Sequence, residues 1–432
     1  MKSSMKKFKL FNPYTAALTA ACALTANIVC AGPVEQAQAK RIHERLTGLP
    51  PSETVLLEME ADILSIGPTD TALNLLNGGQ PGYTGYGSNA DQDNAIEGFL
   101  GGTLKRMAAP WTNRDQDPFE PLNDYMATFI GLVKDDADFR EILFEDVVYT
   151  HPNASPGYSP NNNAHYANIE SSALPLSQLS RSTQSTLQNI PTDATAGVMT
   201  SRAGARAFFY LGTNRAMFRF TLMSQLCRDL EQMEDITGVP DRIRQDVSRS
   251  PGGDSRLFLN GCVGCHTGMD PMAQAFAYYD YVDPDEDPTT DDGAIDYNTT
   301  AEPNPELEID TRVNPKYHIN ANNFPHGFVT PDDSWDNYWR EGSNSAIGWN
   351  WGGDSPTGSG NGAKTMGREL ANSYAFAQCQ VTKVFESVCL RTPEDANDIQ
   401  HVTDTTDNFQ LSGFNLKRVF AETADYCDGV NN

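Results

Sequence analysis

The 432-residue chain has few basic residues and lacks the motifs of several common protein classes. It contains 31 Lys and Arg against 57 Asp and Glu, which gives a formal net charge of -26. This excess of negative charge argues against nucleic acid or an anionic membrane surface as a partner. No Gly-x-Ser-x-Gly or His-Glu-x-x-His motif is present, so the sequence gives no sign of the corresponding hydrolases. We expect a protein that binds neither nucleic acid nor membranes through its charge.

Long hydrophobic runs are also lacking after the N-terminus, where no stretch approaches the roughly 20 apolar residues of a membrane-spanning helix. Residues 1–31 combine four early lysines with an apolar run over 16–29 and the small residues that end at Ala31. This pattern predicts a secretory signal peptide that is cleaved after Ala31. A lipoprotein anchored through Cys22 or Cys30 is the alternative. The mature protein is therefore expected in the bacterial periplasm or outside the cell, without a membrane span.

The segment Cys262-Val263-Gly264-Cys265-His266 matches Cys-x-x-Cys-His, the attachment pattern of a c-type haem. The thiols of Cys262 and Cys265 can bond the two vinyl groups of one porphyrin, and His266 can ligate its iron. A zinc site would need a second Cys-x-x-Cys pair or Cys/His cluster, and the sequence has none. A thioredoxin-like dithiol would follow a hydrophobic strand, whereas residues 251–260 are typical of a capped short helix. The sequence predicts one covalent haem c.

The residues after the motif predict how a haem would be enclosed. Asp270 is a suitable N-cap, and Pro271 is favoured at the first position of a helix. A helix that begins there would place the aromatic rings of Phe276 and Tyr279 against the porphyrin.

Cys-x-x-Cys-His, followed closely by Met269-Asp270-Pro271 and an aromatic helix, resembles the haem segment of planctomycete-type cytochrome-c-like exported proteins, families of unassigned function. Weaker similarities occur at 138–143, 196–227 and 372–391. The resemblance extends over roughly 111–427, but only the haem segment is specific, and the sequence departs from the pattern in its acidic insertion and its extra cysteines. It implies an α-helical, exported cytochrome with a single haem, and it supplies no substrate.

The second axial ligand of the iron decides between the functions that the sequence leaves open. Met366, His318 and His326 are the candidates, because a thioether or imidazole would close the iron and favour electron transfer. An open iron would instead favour a haem-dependent oxidase or peroxidase, although no distal acid or base can be recognised. A third hypothesis is a polymer-binding protein with an accessory haem. Its stacking surface would consist of the five tryptophans, Trp111, Trp335, Trp339, Trp349 and Trp351. Whether the protein is an enzyme stays open.

Four cysteines remain once the leader and the haem pair are set aside, and in an oxidising compartment they are expected to form two disulfides. A helix over 373–389 would hold Cys379 and Cys389 about 15 Å apart, too far for a bond. If the last helix, 413–427, packs antiparallel to that one, Cys427 meets Cys379. Cys389 then pairs with Cys227.

The overall pattern is mainly α, with long irregular loops. We expect a multi-helical N-terminal domain, residues 32–245, packed on a cytochrome-c-like helical haem domain, residues 246–432. Helices are predicted over the five segments 34–63 (broken at 48–51 and restarted at Ser52), 119–133, 138–144, 200–210 and 214–233. A short strand is predicted near 146–149, and the Gly- and Asn-rich stretch 73–105 is predicted to be loop.

An acidic segment, 280–310, carries much of the excess negative charge. It is typical of a solvated loop. A calcium site and a docking patch for a basic redox partner protein are the functional alternatives.

Overall fold

The computed structural model describes residues 32–210, 212–238, 242, 256, 260–286, 291–304, 309–317 and 328–429. The chain is mainly helical, with 56% of it in helices and only short strands in the described part. This confirms the predicted mainly α class. The predicted signal peptide and the predicted boundary at residue 245 both lie outside the described residues.

The described chain begins with the helices α1 (Pro33–Thr47), α2 (Glu53–Ser65), α3 (Pro68–Leu76) and α4 (Asn89–Glu97). The predicted break at 48–51 separates α1 from α2, and Ser52 accepts the backbone N–H of Val55 as the expected N-cap. The loop predicted over 73–105 is confirmed only between Leu76 and Asn89, and the rest of that prediction is wrong. Ser88 and Asp91 form a capping box that starts α4, and π-helical turns over Gly98–Leu104 continue it. These turns bury Phe99 and Leu100, and that burial offsets the conformational cost of the glycines.

The middle of the chain contains short helices joined by 3₁₀ turns. The helices are α5 (Lys105–Ala108), α6 (Asp124–Lys134), α7 (Ala164–Ser171), α8 (Gln184–Leu187), α9 (Arg202–Phe208) and α10 (Asn214–Thr221). The 3₁₀ turns are Ala109–Thr112, Phe139–Leu143, Leu176–Gln178, Gly197–Thr200 and Leu230–Met233. Strand β1 (Val148–Thr150) pairs antiparallel with β2 (Ser180–Ser182). The single helix predicted over 214–233 is broken, because α10 passes into a π-helical turn that ends at Cys227.

The C-terminal part combines three hairpins with the longest helices. Its helices are α11 (Val263–Ala273), α12 (Gly362–Ala371), α13 (Tyr374–Cys389), α14 (Ala396–Leu411) and α15 (Leu416–Tyr426). Antiparallel pairs form between β3 (Tyr279–Val282) and β4 (Ala294–Tyr297), β5 (Glu302–Asn304) and β6 (Ile309–Thr311), and β7 (Ser334–Asp336) and β8 (Ser359–Asn361). The 3₁₀ turns are Gln274–Phe276, Pro315–Tyr317, Tyr338–Arg340 and Gly342–Ile347.

Two disulfides form among the four predicted cysteines, but the predicted pairing is wrong. The bonds are Cys227–Cys379 and Cys389–Cys427, instead of Cys379–Cys427 and Cys227–Cys389. The reason is α14, an unpredicted helix between α13 and α15. With three successive helices packed together, α15 runs in the same direction as α13, and the C-terminal ends of both helices meet at Cys389 and Cys427. The N-terminal ends meet as well, because Phe139 stacks on Phe376 and its backbone N–H donates to Phe414.

The hydrophobic core is continuous across the predicted domains. One cluster of buried side chains extends from Ala39 to Ala424, and α15 packs against both α1 and α3. Phe420 of α15 makes an edge contact with Phe99, with the ring centroids 5.0 Å apart. None of the helices in the described part has the length and apolar character to cross a membrane.

Part of the acidic segment is neutralised by contacts within the fold. Asp280 on β3 forms an ion pair with Lys316. Asp291 accepts Arg202 at 3.1 Å and lies 3.4 Å from Arg206. The described part of the segment therefore includes a hairpin held to the helical body by ion pairs, in addition to solvated loop.

Candidate functional site

The predicted haem-attachment residues lie at the start of α11. Cys262 is the N-cap residue, and Cys265 and His266 lie in the first turn. The backbone N–H of His266 donates to the carbonyl of Cys262 at 3.3 Å, so the motif is helical along its length. Asp270 was expected to cap a new helix, and this is wrong: α11 continues through Asp270 and Pro271 to Ala273. Pro271 has no N–H to donate to the carbonyl of Thr267, and the helix ends two residues later, where the backbone tightens into a 3₁₀ turn.

The two thiols of the motif are reduced, although the other four described cysteines are paired. Both Cys262 and Cys265 are partly exposed, and the sulfur of Cys265 lies 3.4 Å from the carbonyl oxygen of Leu230. Burial raises the pKa of the Cys265 thiol, and the nearby carboxylates of Glu234 and Glu231 add to this. Reactive thiolates require the opposite shift, because their pKa is lowered by positive charge. The surroundings therefore disfavour Cys265 as a reactive thiolate.

His266 is fixed by a buried carboxylate four residues further along α11. Its Nδ1 lies 3.1 Å from each carboxylate oxygen of Asp270. The Asp270 side chain has no exposed surface, and Nε of Arg215 on α10 lies 3.2 Å from Oδ1. With Nδ1 engaged by Asp270, Nε2 is the ring nitrogen that would ligate iron. The spacing of four residues places His266 and Asp270 on one helix face, which the sequence could have indicated, but it gave no signal for Arg215.

The opposite face of α11 is held against the protein by two glycines. A Cβ atom at Gly268 would lie 2.0 Å from Nε1 of Trp339, and one at Gly264 would lie 2.4 Å from the side chain of Glu234. Trp339 also stacks on Phe218 of α10, with ring centroids 5.9 Å apart. These close contacts fix the rotation of α11, and hence the direction in which His266 projects.

The aromatic residues expected to enclose a porphyrin are packed in the core. Phe276 and Tyr279 are both fully buried, and both make ring contacts with Phe209. The hydroxyl of Tyr279 donates to the carbonyl of Ala194. These contacts show the two rings supporting the end of α11 from within the core.

The three candidates for the second axial position differ in what the structure says of them. Met366 is fully buried on α12, which packs against Phe139–Leu143 and Gln274–Phe276. His318 and His326 lie outside the described residues. The identity of the second ligand therefore stays a prediction.

The tryptophan stacking surface is not formed. Trp335 and Trp339 are 1% and 2% exposed, Trp111 is 8% exposed, and Trp349 and Trp351 are partly buried against the core. The indole N–H of Trp335 donates to the hydroxyl of Thr365 at 2.8 Å. This removes the surface on which the hypothesis of a polymer-binding protein rested, because the Gly- and Asn-rich sequence around these residues packs into the fold instead of presenting them.

The donor set at the start of α11 fits a c-type haem. Two reduced thiols three positions apart precede an oriented imidazole, which are the protein groups that covalent attachment and iron ligation require. In the described part of the chain no group of three or more His, Cys, Asp or Glu side chains is arranged to hold a metal ion. A haem iron needs one histidine from this motif and does not need such a group.

Comparison with protein-family models, with curated proteins and with solved structures finds no match to this chain. The resemblance to cytochrome-c-like exported proteins and the cytochrome-c-like haem domain therefore stay predictions. The residues of α11 and their surroundings are the basis for a functional proposal.

Proposed function

We propose that the protein is an exported c-type cytochrome that carries one covalent haem and transfers electrons. The observation that supports this most strongly is the arrangement at α11, where two reduced thiols precede a histidine whose Nδ1 is held by the buried Asp270. A haem bound there would supply an iron that changes between the ferric and ferrous states.

Cys262 and Cys265 attach the group in this proposal. Each thiol would add across one vinyl group of the porphyrin, with sulfur bonding one carbon and the thiol hydrogen passing to the other. The reaction needs no oxidant and has no leaving group. The thiols must be reduced for this step, as they are in the structure.

His266 would supply the proximal ligand through Nε2, and α10 and Trp339 hold the helix that carries it. Met366, His318 and His326 remain candidates for the other side of the iron. Closure by any of them would favour electron transfer over reaction with a small ligand.

Export is the part of the proposal that rests on the N-terminal sequence and the disulfides. Two disulfides fit an oxidising compartment such as the periplasm or the cell exterior. The formal net charge of -26 suits a basic redox partner protein, because opposite charges speed the encounter of two proteins.

Expression of the full chain in a bacterium with haem-attachment machinery tests the proposal. We expect one haem per chain that resists extraction under denaturing conditions and gives a c-type spectrum. The variant C262S/C265S should lose the covalent haem, whereas H266A should retain thioethers but lose proximal ligation. Wild-type protein that is exported by this host without covalent haem would refute the proposal.

The same preparation tests whether the iron is closed. We expect the ferrous spectrum to change little on addition of carbon monoxide, and the ferric spectrum to change little with cyanide. Prompt binding of either ligand would count against electron transfer and favour the oxidase or peroxidase alternative.

A further inference from the structure

Asp270 is an unusual carboxylate. Its side chain is completely buried, and the residue lies within a helix and not at its N-terminus. Its position in α11 excludes a capping role, since the helix begins seven residues before it, at Val263. Both of its oxygens lie 3.1 Å from His266 Nδ1, and Oδ1 lies 3.2 Å from Arg215 Nε. The carboxylate therefore lies between an imidazole and a guanidinium.

Stability alone does not account for this arrangement. Taking a carboxylate out of water is costly, and buried ion pairs can often be replaced by apolar side chains without loss of stability. The desolvation cost falls on a residue of α11 whose carboxylate contacts Nδ1 of His266. The placement instead suits a group that acts through the histidine.

We infer that Asp270 is a positioning residue that orients His266 and sets the preference of the haem iron for its ferric state, and that Arg215 limits this effect. The inference rests on the proposed function. A carboxylate that accepts the Nδ1 proton fixes the ring plane and makes Nε2 a more basic ligand. A more basic ligand donates more electron density and favours ferric iron. Arg215 draws negative charge from the same carboxylate and so opposes this donation.

Arg215 and Asp270 lie on different helices. Their combined effect on His266 therefore depends on how α10 packs on α11. Asn214, next to Arg215, donates to the carbonyl of Ala273 at 2.9 Å and ties the two helices together. The distance between the guanidinium and the carboxylate is thereby fixed by contacts outside the ion pair itself.

Redox titration of the haem-loaded full chain tests the inference. For D270N, we expect the ferric-to-ferrous ratio at a fixed applied potential to fall at least tenfold, which is about 59 mV for a one-electron couple. For R215Q, we expect the ratio to rise. The opposite signs are expected because the two side chains act on His266 in opposite senses.

Glu369 provides a matched control. Like Asp270, it is a completely buried carboxylate paired with an arginine, and Arg340 Nε lies 2.7 Å from it. E369Q should reproduce the loss of stability that follows from neutralising such a carboxylate, without a comparable change in the ferric-to-ferrous ratio. Wild-type, D270N and E369Q proteins should also be compared by proton NMR of the ferric haem methyl groups, whose shift pattern reports the orientation of the imidazole plane.

The outcomes separate the inference from the proposed function. A shifted ratio together with a changed methyl pattern in D270N, and neither in E369Q, supports the inference. If D270N does not fold, a rise in the ferric-to-ferrous ratio of R215Q supports the inference, and an unchanged ratio overturns it. Covalent haem with a wild-type ratio in both D270N and R215Q overturns the inference alone, and absence of covalent haem from the wild type overturns both.

Discussion

Asp270 and Lys383 are both ionisable side chains within the protein, and they differ in the groups that lie next to them. Asp270 has a cation beside it, whereas Lys383 lies 3.9 Å above the ring of Trp111 and donates to the carbonyl of Ser224. Desolvation lowers the pKa of Lys383 to about 7, and the carboxylate of Glu386 opposes this only in part. The side chain of Lys383 can therefore lose its proton and become a neutral amine near physiological pH.

This lowered pKa predicts a pH-dependent stability. A lysine in the unfolded chain binds its proton up to about pH 10.5, whereas folded Lys383 releases it near pH 7. Between these values the unfolded state binds more protons, so the free energy of unfolding should rise with pH, by at most about 1.4 kcal/mol per unit. The Trp111 ring and the Ser224 carbonyl both favour the ammonium and should reduce this slope. Urea unfolding of wild type and K383M at pH 7 and pH 9 should show a smaller rise for the variant.

Lys364 offers a control for that experiment, because its ammonium also donates to a backbone carbonyl, that of Thr192, but at the surface. K364M should keep the wild-type dependence on pH. Equal slopes for K383M and the wild type would contradict the assignment of the effect to Lys383.

At the scale of helices and strands, the sequence predicted those elements whose ends have a clear chemical signal. Ser373 caps α13 and Ser52 caps α2, and both helices were predicted close to their observed bounds. α14 was missed because its buried face includes polar residues such as Thr405 and Thr406, which hide the apolar period.

The missed helix had a consequence beyond its own residues. One additional antiparallel helix reverses the direction of the next, so the predicted disulfide pairing failed although all four cysteines were identified. Similarly, the Cys-x-x-Cys-His motif predicted the residues of the candidate site, but Arg215 is distant in sequence and reaches the site only because α10 packs on α11.

The observed pairing predicts two disulfides of unequal effect. The bonds Cys389–Cys427 and Cys227–Cys379 span 38 and 152 residues. Because each bond lowers the conformational entropy of the unfolded chain, they should add about 4 and about 5 kcal/mol respectively to the free energy of unfolding. We expect C227S/C379S to unfold at a lower urea concentration than C389S/C427S. Non-reducing peptide mapping of the wild type should recover Cys389 joined to Cys427, and a peptide that joins Cys379 to Cys427 would contradict the fold.

At the scale of the whole molecule, the dominant property is charge. The formal net charge of -26 includes four lysines of the predicted leader, so that cleavage after Ala31 leaves a still more acidic protein. Ion pairs such as Asp280 with Lys316 neutralise some of these carboxylates locally but leave the total unchanged. The field outside the protein should therefore be negative and reach about a Debye length from the surface.

This field predicts how the electron-transfer rate depends on salt. Reduction of the haem-loaded protein by a small cationic one-electron donor should slow as ionic strength rises, because salt screens the attraction. Reduction by an anionic donor should accelerate for the same reason. Stopped-flow measurements with both donors between low and physiological salt check this, and equal dependence for the two donors would show that the net charge does not govern access to the haem.

The Cys227–Cys379 bond also determines what proteolysis can release. The candidate haem residues lie between the two cysteines in the sequence, so the bond closes a covalent ring around them. A single cut anywhere in that ring, including one in the acidic segment, leaves both fragments attached to each other. A nicked molecule would therefore keep its candidate haem-binding helix until the disulfide was reduced, which gives the protein a tolerance to single cleavages that its fold alone would not provide.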